Sequence, residues 1–435
     1  MGYRSPTMHK VRRLVEGGVL LSFLFACAAG GQVAHSFTPL GELPGGAFSS
    51  RASGVSANGR VIVGRSNNGA EVAVVWMLGE SGWVGPVMLP SLAAGATAEA
   101  RACDNAATTA FGDANNASGF RQPVSWCITP ACPSPIPMPY PAMGYSGVVY
   151  SCSADGGVAC GEFLEYQIGF PPPLPITRAF RWTPDGGMVS LGTIPGVVAG
   201  PGHQTIARAC SSDGSVIVGN ANDAMFANRP WRWTEAGGMV DISAAEWSGI
   251  ARGVSPDGHT VVGSFTEFGL SKPFLWSADG GRTDLEIPPG FDSGGSFAVT
   301  DGGRRAVGLC LFGGSGNTAM LWNAGAPAIS IRAALLNGGV SMSLWHLQSA
   351  TAMSDDGTVI VGFGINPDGQ QEAWVATIPM PCAADFDGNG TREVGDIFAF
   401  LAAWFAGDPA AYAFGGTPGV PAIFAFLTAW FAGCP

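Results

Sequence analysis

Residues 385–396 read DFDGNGTREVGD and set oxygen donors at loop positions 1, 3, 5, 9 and 12: Asp385, Asp387, Asn389, Glu393 and Asp396. Thr391 at position 7 offers a carbonyl, and Gly390 stands at position 6, where such a loop turns sharply. Calcium collects about 6–8 oxygen ligands, and this spacing wraps a short loop around one centre. The run IFAFLAAWFAG at 397–407 predicts a helix with a broad apolar face. Nearly the same run, IFAFLTAWFAG, returns at 423–433. The loop before it, AYAFGGTPGVPA at 411–422, keeps Gly416, Thr417 and Val420. It carries Ala411, Ala413, Gly415, Gly419 and Ala422 where the five donors stood. The chain therefore encodes a duplicated loop–helix unit with one live calcium site and one decayed site.

Other chemistry is sparse. There is no G-x-S-x-G, no H-E-x-x-H and no P-loop, so no catalytic residue is assigned. Asp241, Glu246, Glu267, Asp284, Glu286 and Asp292 could pair only through the fold. A secreted polysaccharide-degrading glycoside hydrolase therefore stays as the alternative to a non-catalytic binding protein. Arg4, Lys10, Arg12 and Arg13 precede the apolar run VLLSFLFACAAG, and small residues follow it. That is a signal peptide over residues 1–31, so the protein is expected to be secreted, extracellular or at the cell surface. Cys27 in LFAC resembles a lipoprotein lipobox, which Phe25 fits poorly. Outside the leader no apolar run is long enough to span a membrane as a helix. Without any C-x-x-C pair and with five histidines, the cysteines read as disulfide candidates rather than zinc ligands. The local pairs are Cys127 with Cys132, Cys152 with Cys160, and Cys382 with Cys434.

The elements that must carry these residues follow from composition and repetition. Of 435 residues, 65 are glycine, 47% are hydrophobic and only 12% are charged, with a net charge of −11. Such a chain can bury a large core through many short, tightly turned strands, and it has no basic stripe for nucleic acid. One phrase recurs: GVSANGRVIVG at 54–64, ACSSDGSVIVG at 209–219, GVSPDGHTVVG at 253–263 and AMSDDGTVIVG at 352–362. Weaker copies occupy 102–112, 151–161 and 298–308. The closing glycines are Gly64, Gly112, Gly161, Gly219, Gly263, Gly308 and Gly362, and a tryptophan follows each: Trp76, Trp126, Trp182, Trp233, Trp276, Trp322 and Trp374.

Each unit holds two hairpins, one turned by S-x-D-G and one by the glycine pair after the tryptophan strand. Four short strands in a period of 44 to 58 residues predict an all-β, seven-bladed β-propeller over 37–379. The seventh unit lacks a fourth strand, while 37–46 (FTPLGELPGG) matches the fourth strand of the third unit. The N-terminal segment is thus expected to complete blade seven and seal the ring. The tryptophans and Cys103, Cys152 and Cys210 read as core between blades. Longer connections gather on one face and carry Tyr166, Phe170, His203, Trp247, Phe291, Trp345 and His346, candidates for stacking on a glycan or holding a protein ligand.

The recurrent phrase resembles the extracellular HAF-repeat family, whose repeats are taken to form β-propellers and which has no defined activity. The segment 382–435, with its tandem loops, AWFAG helices and terminal Gly-Cys-Pro, resembles the GC-type dockerin. That resemblance implies a small α-helical, EF-hand-type calcium module with Asp385, Asp387, Asn389, Thr391, Glu393 and Asp396 as ligands. It also implies attachment to a cohesin-like or cell-surface partner. The helices' aromatic faces, including Trp404, Phe405, Trp430 and Phe431, would make the contact.

Overall fold

A computed structural model describes residues 34–128, 135–141, 144–167, 174–197, 203–223, 225–313, 316–382, 384–387, 392–412, 414 and 418–433. The leader and Cys27 lie outside them. The repeats form seven four-stranded antiparallel sheets, the blades of a β-propeller. In six of them the strands follow chain order. In the seventh, the N-terminal strand Ser36–Pro39 adds outside Gln371–Thr377, with Phe37 opposite Ala376 and Pro39 opposite Trp374. Both ends of the ring thus share one sheet, as the missing fourth strand required. Closure also removes the open edge at which another chain could pair.

The S-x-D-G phrase works as a small hydrogen-bonded clasp. In blade five the Ser255 hydroxyl donates to Asp257 Oδ1 at 2.5 Å and accepts from the Thr260 amide at 2.9 Å. Ser153, Ser211 and Ser354 repeat both bonds in their own blades. These hydroxyls are buried, so the turn satisfies its own polar groups while it reverses the chain.

The core is divided among the seven junctions between neighbouring blades, each with its own apolar cluster. One repeat tryptophan enters each cluster, against the preceding blade. Three donate their indole N–H backwards: Trp76 to Leu40 O, Trp126 to Pro90 O and Trp322 to Glu286 O, at 2.7–2.8 Å. These three therefore both fill and lock their junctions. Between blades six and seven, α1 (Ile331–Asn337) starts at the Ser330 cap and buries Ile331 and Leu335.

After the ring, α2 (Val394–Ala406), α3 (Pro409–Tyr412) and α4 (Val420–Ala432) form a small helical unit. Phe400 and Phe426, equivalent in the two copies, stack at 4.1 Å with planes 4° apart. Trp404 Nε1 donates to Gly419 O at 3.1 Å, and Trp430 Nε1 donates to Glu393 O at 3.2 Å. Each helix's tryptophan thus ties down position 9 of the other loop, and the duplication is built into a two-fold-like pair.

One expected pairing is corrected. Cys152 and Cys160 are free thiols. They sit on adjacent strands, but Cys152 is opposite Ala159 and Cys160 opposite Ser151, so the two point to opposite faces of the sheet. Cys127 and Cys382 are disulfide-bonded, while Cys132 and Cys434, their expected partners, lie outside the described residues. Cys103 and Cys210 are buried free thiols.

Candidate functional site

At the tail, the loop brings Asp385, Asp387 and Asp396 together, with a carboxylate oxygen of each within 4.8 Å of the others. Asp396 is fully buried. Its Oδ1 accepts from the Phe386 amide at 2.8 Å and its Oδ2 from the Glu393 amide at 2.7 Å, which folds the loop over the start of α2. Glu393 is the N-cap of α2, and its side chain accepts from the backbone amide of Asp396 in a capping box. Asn389 and Thr391 lie outside the described residues. In the second copy, Ala422 replaces Asp396 and is equally buried, so that position holds a methyl where the first holds a carboxylate. A hard-cation site is consistent with the all-oxygen donor set and the convergence of three carboxylates around one point.

The outer surfaces of the two helices match. Val394, Phe398 and Phe405 on α2, and Val420, Phe424 and Phe431 on α4, are each more than half exposed. Trp404 and Trp430 are half-buried and face the pair's own core, so of the four expected partner residues only Phe405 and Phe431 stand outward.

On the ring, the expected ligand face is thinner than its aromatic content suggested. Trp345 is buried in the junction of blades six and seven, and Phe291 packs into the junction of blades five and six. Trp247 lies edge-on to Phe274 at 5.0 Å, with Arg282 5.1 Å from its ring centre. His203 is buried, and its pKa is lowered by burial and then by Arg178. These four serve the core. Tyr166 and His346 remain exposed, and Phe170 lies outside the described residues. Tyr166 stacks on Tyr145 at 4.6 Å, and Phe120 meets Tyr145 edge-on at 5.7 Å, giving a small aromatic platform on the blade-two and blade-three side. Five of the six candidate carboxylates are spent locally: Asp241 holds Ser243, Glu267 pairs with Lys272, Asp284 pairs with Arg282, Glu286 accepts from the Ala328 amide, and Asp292 accepts from Ser293 Oγ and the Gly313 amide.

The central channel was not anticipated from the sequence. The innermost strand of every blade carries a β-bulge at the same place. The bulged residues are Ser53, Arg101, Tyr150, Arg208, Arg252, Phe297 and Thr351, one per blade, and all seven line a cavity of about 240 Å³ together with Arg51 and Glu99. Each lies eleven residues before its repeat glycine. The bulge explains that glycine, because it presses a carbonyl of the inner strand against the second strand. A Cβ on Gly64, Gly219 or Gly263 would sit 1.9–2.0 Å from the carbonyl oxygen of Arg51, Ile206 or Ile250, and the other four repeat glycines are the same.

The channel is positively charged inside an acidic protein. Arg101 is bridged to Glu99 at 2.7 Å and to Asp113 at 3.0 Å. Among the described residues Arg51, Arg208 and Arg252 make no salt bridge. Burial and then the like charge of Arg208 pull the Arg252 guanidinium down to about 10, and burial lowers Arg51 as well. At one end the S-x-D-G turns link around the ring: Asn105 N to Ala154 O, Ala154 N to Ser212 O, Ser212 N to Pro256 O and Asp355 N to Ala57 O. Ser212 Oγ also reaches Asp355 Oδ2 at 2.5 Å, joining blades four and seven across the axis and constricting that end.

No family model matches the chain, and no curated protein matches it. Solved structures that resemble it share little sequence. TolB from Acinetobacter baumannii is 11% identical, covering 79% of this chain and 80% of its own, with a TM-score of 0.38. An oligogalacturonate lyase from Vibrio parahaemolyticus is 10% identical, covering 80% of this chain and 98% of its own, with a TM-score of 0.49. The propeller domain of the trilobed protease from Pyrococcus furiosus is 9% identical, covering 64% of this chain and 82% of its own, with a TM-score of 0.40.

Proposed function

We propose that this is an exported, non-catalytic binding propeller whose C-terminal loop–helix pair takes up one calcium ion and attaches the ring to a partner at the cell surface. The observation that carries the reading is the convergence of Asp385, Asp387 and Asp396 at the head of a helix whose outer face is apolar. A bound hard cation there neutralises three crowded carboxylates and so stiffens the loop. Asp385, Asp387, Asn389, Thr391, Glu393 and Asp396 are the proposed ligands. Ala411 and Ala422 in the second copy limit the stoichiometry to one.

The matching stripes Val394–Phe398–Phe405 and Val420–Phe424–Phe431 are the proposed docking surface, of the kind a cohesin-like receptor would cover. Export is supported by the leader and by the disulfide-bonded state of Cys127 and Cys382, which suits an oxidising compartment. No helix among the described residues is long and apolar enough to cross a membrane. Calorimetry of the purified chain with calcium tests the reading: one site is expected, lost in Asp385→Ala. Two sites, or none, would overturn it.

A further inference from the structure

We infer that the central channel binds a compact oxyanion with two or more negative charges, a polycarboxylate or a phosphate ester, between Arg51, Arg208 and Arg252. This deepens the reading of the ring as a binding scaffold and does not depend on the tail. The first support is charge. Arg101 is accounted for by Glu99 and Asp113, but the other three guanidiniums share the cavity without an ion pair among the described residues. Arg51 Nε and Arg252 Nε are buried with no hydrogen-bond partner, and Arg208 Nε reaches only the neutral side chain of Asn220, at 2.7 Å. A ring built only for stability would pair these cations or replace them, because buried unpaired charge is costly.

The second support is orientation. The Arg252 guanidinium lies 5.6 Å from the Phe297 ring centre and that of Arg208 5.9 Å from Tyr150, so aromatic walls hold planar forks in place. The third is what remains to meet a ligand. Ser53 Oγ donates to Glu99 Oε1 at 2.6 Å and Thr351 Oγ1 to Ala52 O at 2.8 Å. The neutral hydroxyls are thus already spent, and the forks are left to bind, which selects charge over a neutral sugar. The Ser212–Asp355 bond narrows one end of the channel, and Arg51 and Glu99 line the cavity away from that end.

The test is calorimetric titration of the full mature chain with citrate and, separately, inorganic phosphate, against chloride at matched ionic strength. Saturable one-to-one binding is expected for at least one of them, and the tighter of the two identifies the class. Arg208→Gln and Arg252→Gln should each weaken it tenfold or more, while Glu235→Gln, at an exposed turn of blade four, leaves it unchanged. If either of these arginine variants fails to melt cooperatively, Arg51→Gln carries the same expectation. Heats no larger than those with chloride, or affinities unchanged in the arginine variants, would overturn the proposal. Calcium uptake measured on a separate sample free of citrate and phosphate, which themselves bind calcium, shows whether the tail reading stands.

Discussion

An arginine kept for a ligand should cost the empty protein stability, and Arg252→Met measures that cost. Burial and the neighbouring Arg208 bring the Arg252 guanidinium to about 10. At about 1.4 kcal/mol per tenfold change in proton affinity, keeping it charged in the native ring costs on the order of 3 kcal/mol. Water in the open channel screens part of this, and the contact with Phe297 returns about 0.5–1 kcal/mol. Methionine keeps a long apolar stem and removes the charge, so a net gain of about 1–2 kcal/mol is expected, or a Tm rise of about 1–3 °C in a domain this large. The sign with pH is fixed. The native pKa is lowered, so the penalty is present in full below about pH 10 and is relieved only above it, where the native state sheds its proton before the unfolded chain does. The gain should therefore be the same at pH 6 and pH 8. Thermal melts in chloride buffer, free of polyvalent anions, make the measurement. A fall in Tm of several degrees would show that Arg252 is a structural strut and refute the reasoning.

Four further outcomes follow from the geometry. Gly219→Ala puts a Cβ 1.9 Å from Ile206 O and should cost about 3 kcal/mol or more, read by chemical denaturation. Gly238→Ala, with φ +65° and open space around it, should cost only about 1–2 kcal/mol. Ser255→Ala strips the clasp from one hairpin and leaves the Thr260 amide and the Asp257 carboxylate without their shared partner, a loss of about 1–3 kcal/mol in the same assay. Alkylation followed by mass spectrometry should label Cys103, Cys160 and Cys310 only after unfolding, since burial pushes the thiol of Cys310 up to about 12 and those of Cys103 and Cys160 are also buried and raised.

The ring was legible because repetition makes its own control. A tryptophan found in all seven units cannot be a special site in each, and the structure puts one in every junction. The closing strand was legible for a related reason: one unit lacked a piece that the N-terminus supplied, and Ser36–Pro39 pairs there. Aromatics in connections misled because exposure does not follow from being in a loop. Trp345 and Phe291 sit in long connections yet fold back between blades, where an indole or phenyl ring gains more from burial than from solvent. The Cys152–Cys160 pairing failed on parity, since strands alternate faces and register cannot be read from a spacing.

The channel residues were hidden by the same repetition that exposed the fold. Eleven positions before each repeat glycine stand Ser, Arg, Tyr, Arg, Arg, Phe and Thr, a column with no shared chemistry and so no motif. Its neighbours in the repeat are constrained: the glycine by a carbonyl within about 2 Å of where its Cβ would be, the buried Ser or Thr by the clasp. A column free to vary between constrained ones, in strands that converge on an axis, is where a ring can change its ligand without changing its fold. Here that column and Arg51 have accumulated four arginines against one lining carboxylate away from the constricted end, in a chain of net charge −11. An excess of that sign, placed against the charge of the whole protein and mostly on the bulges of the inner strands, fits the proposed anionic occupant.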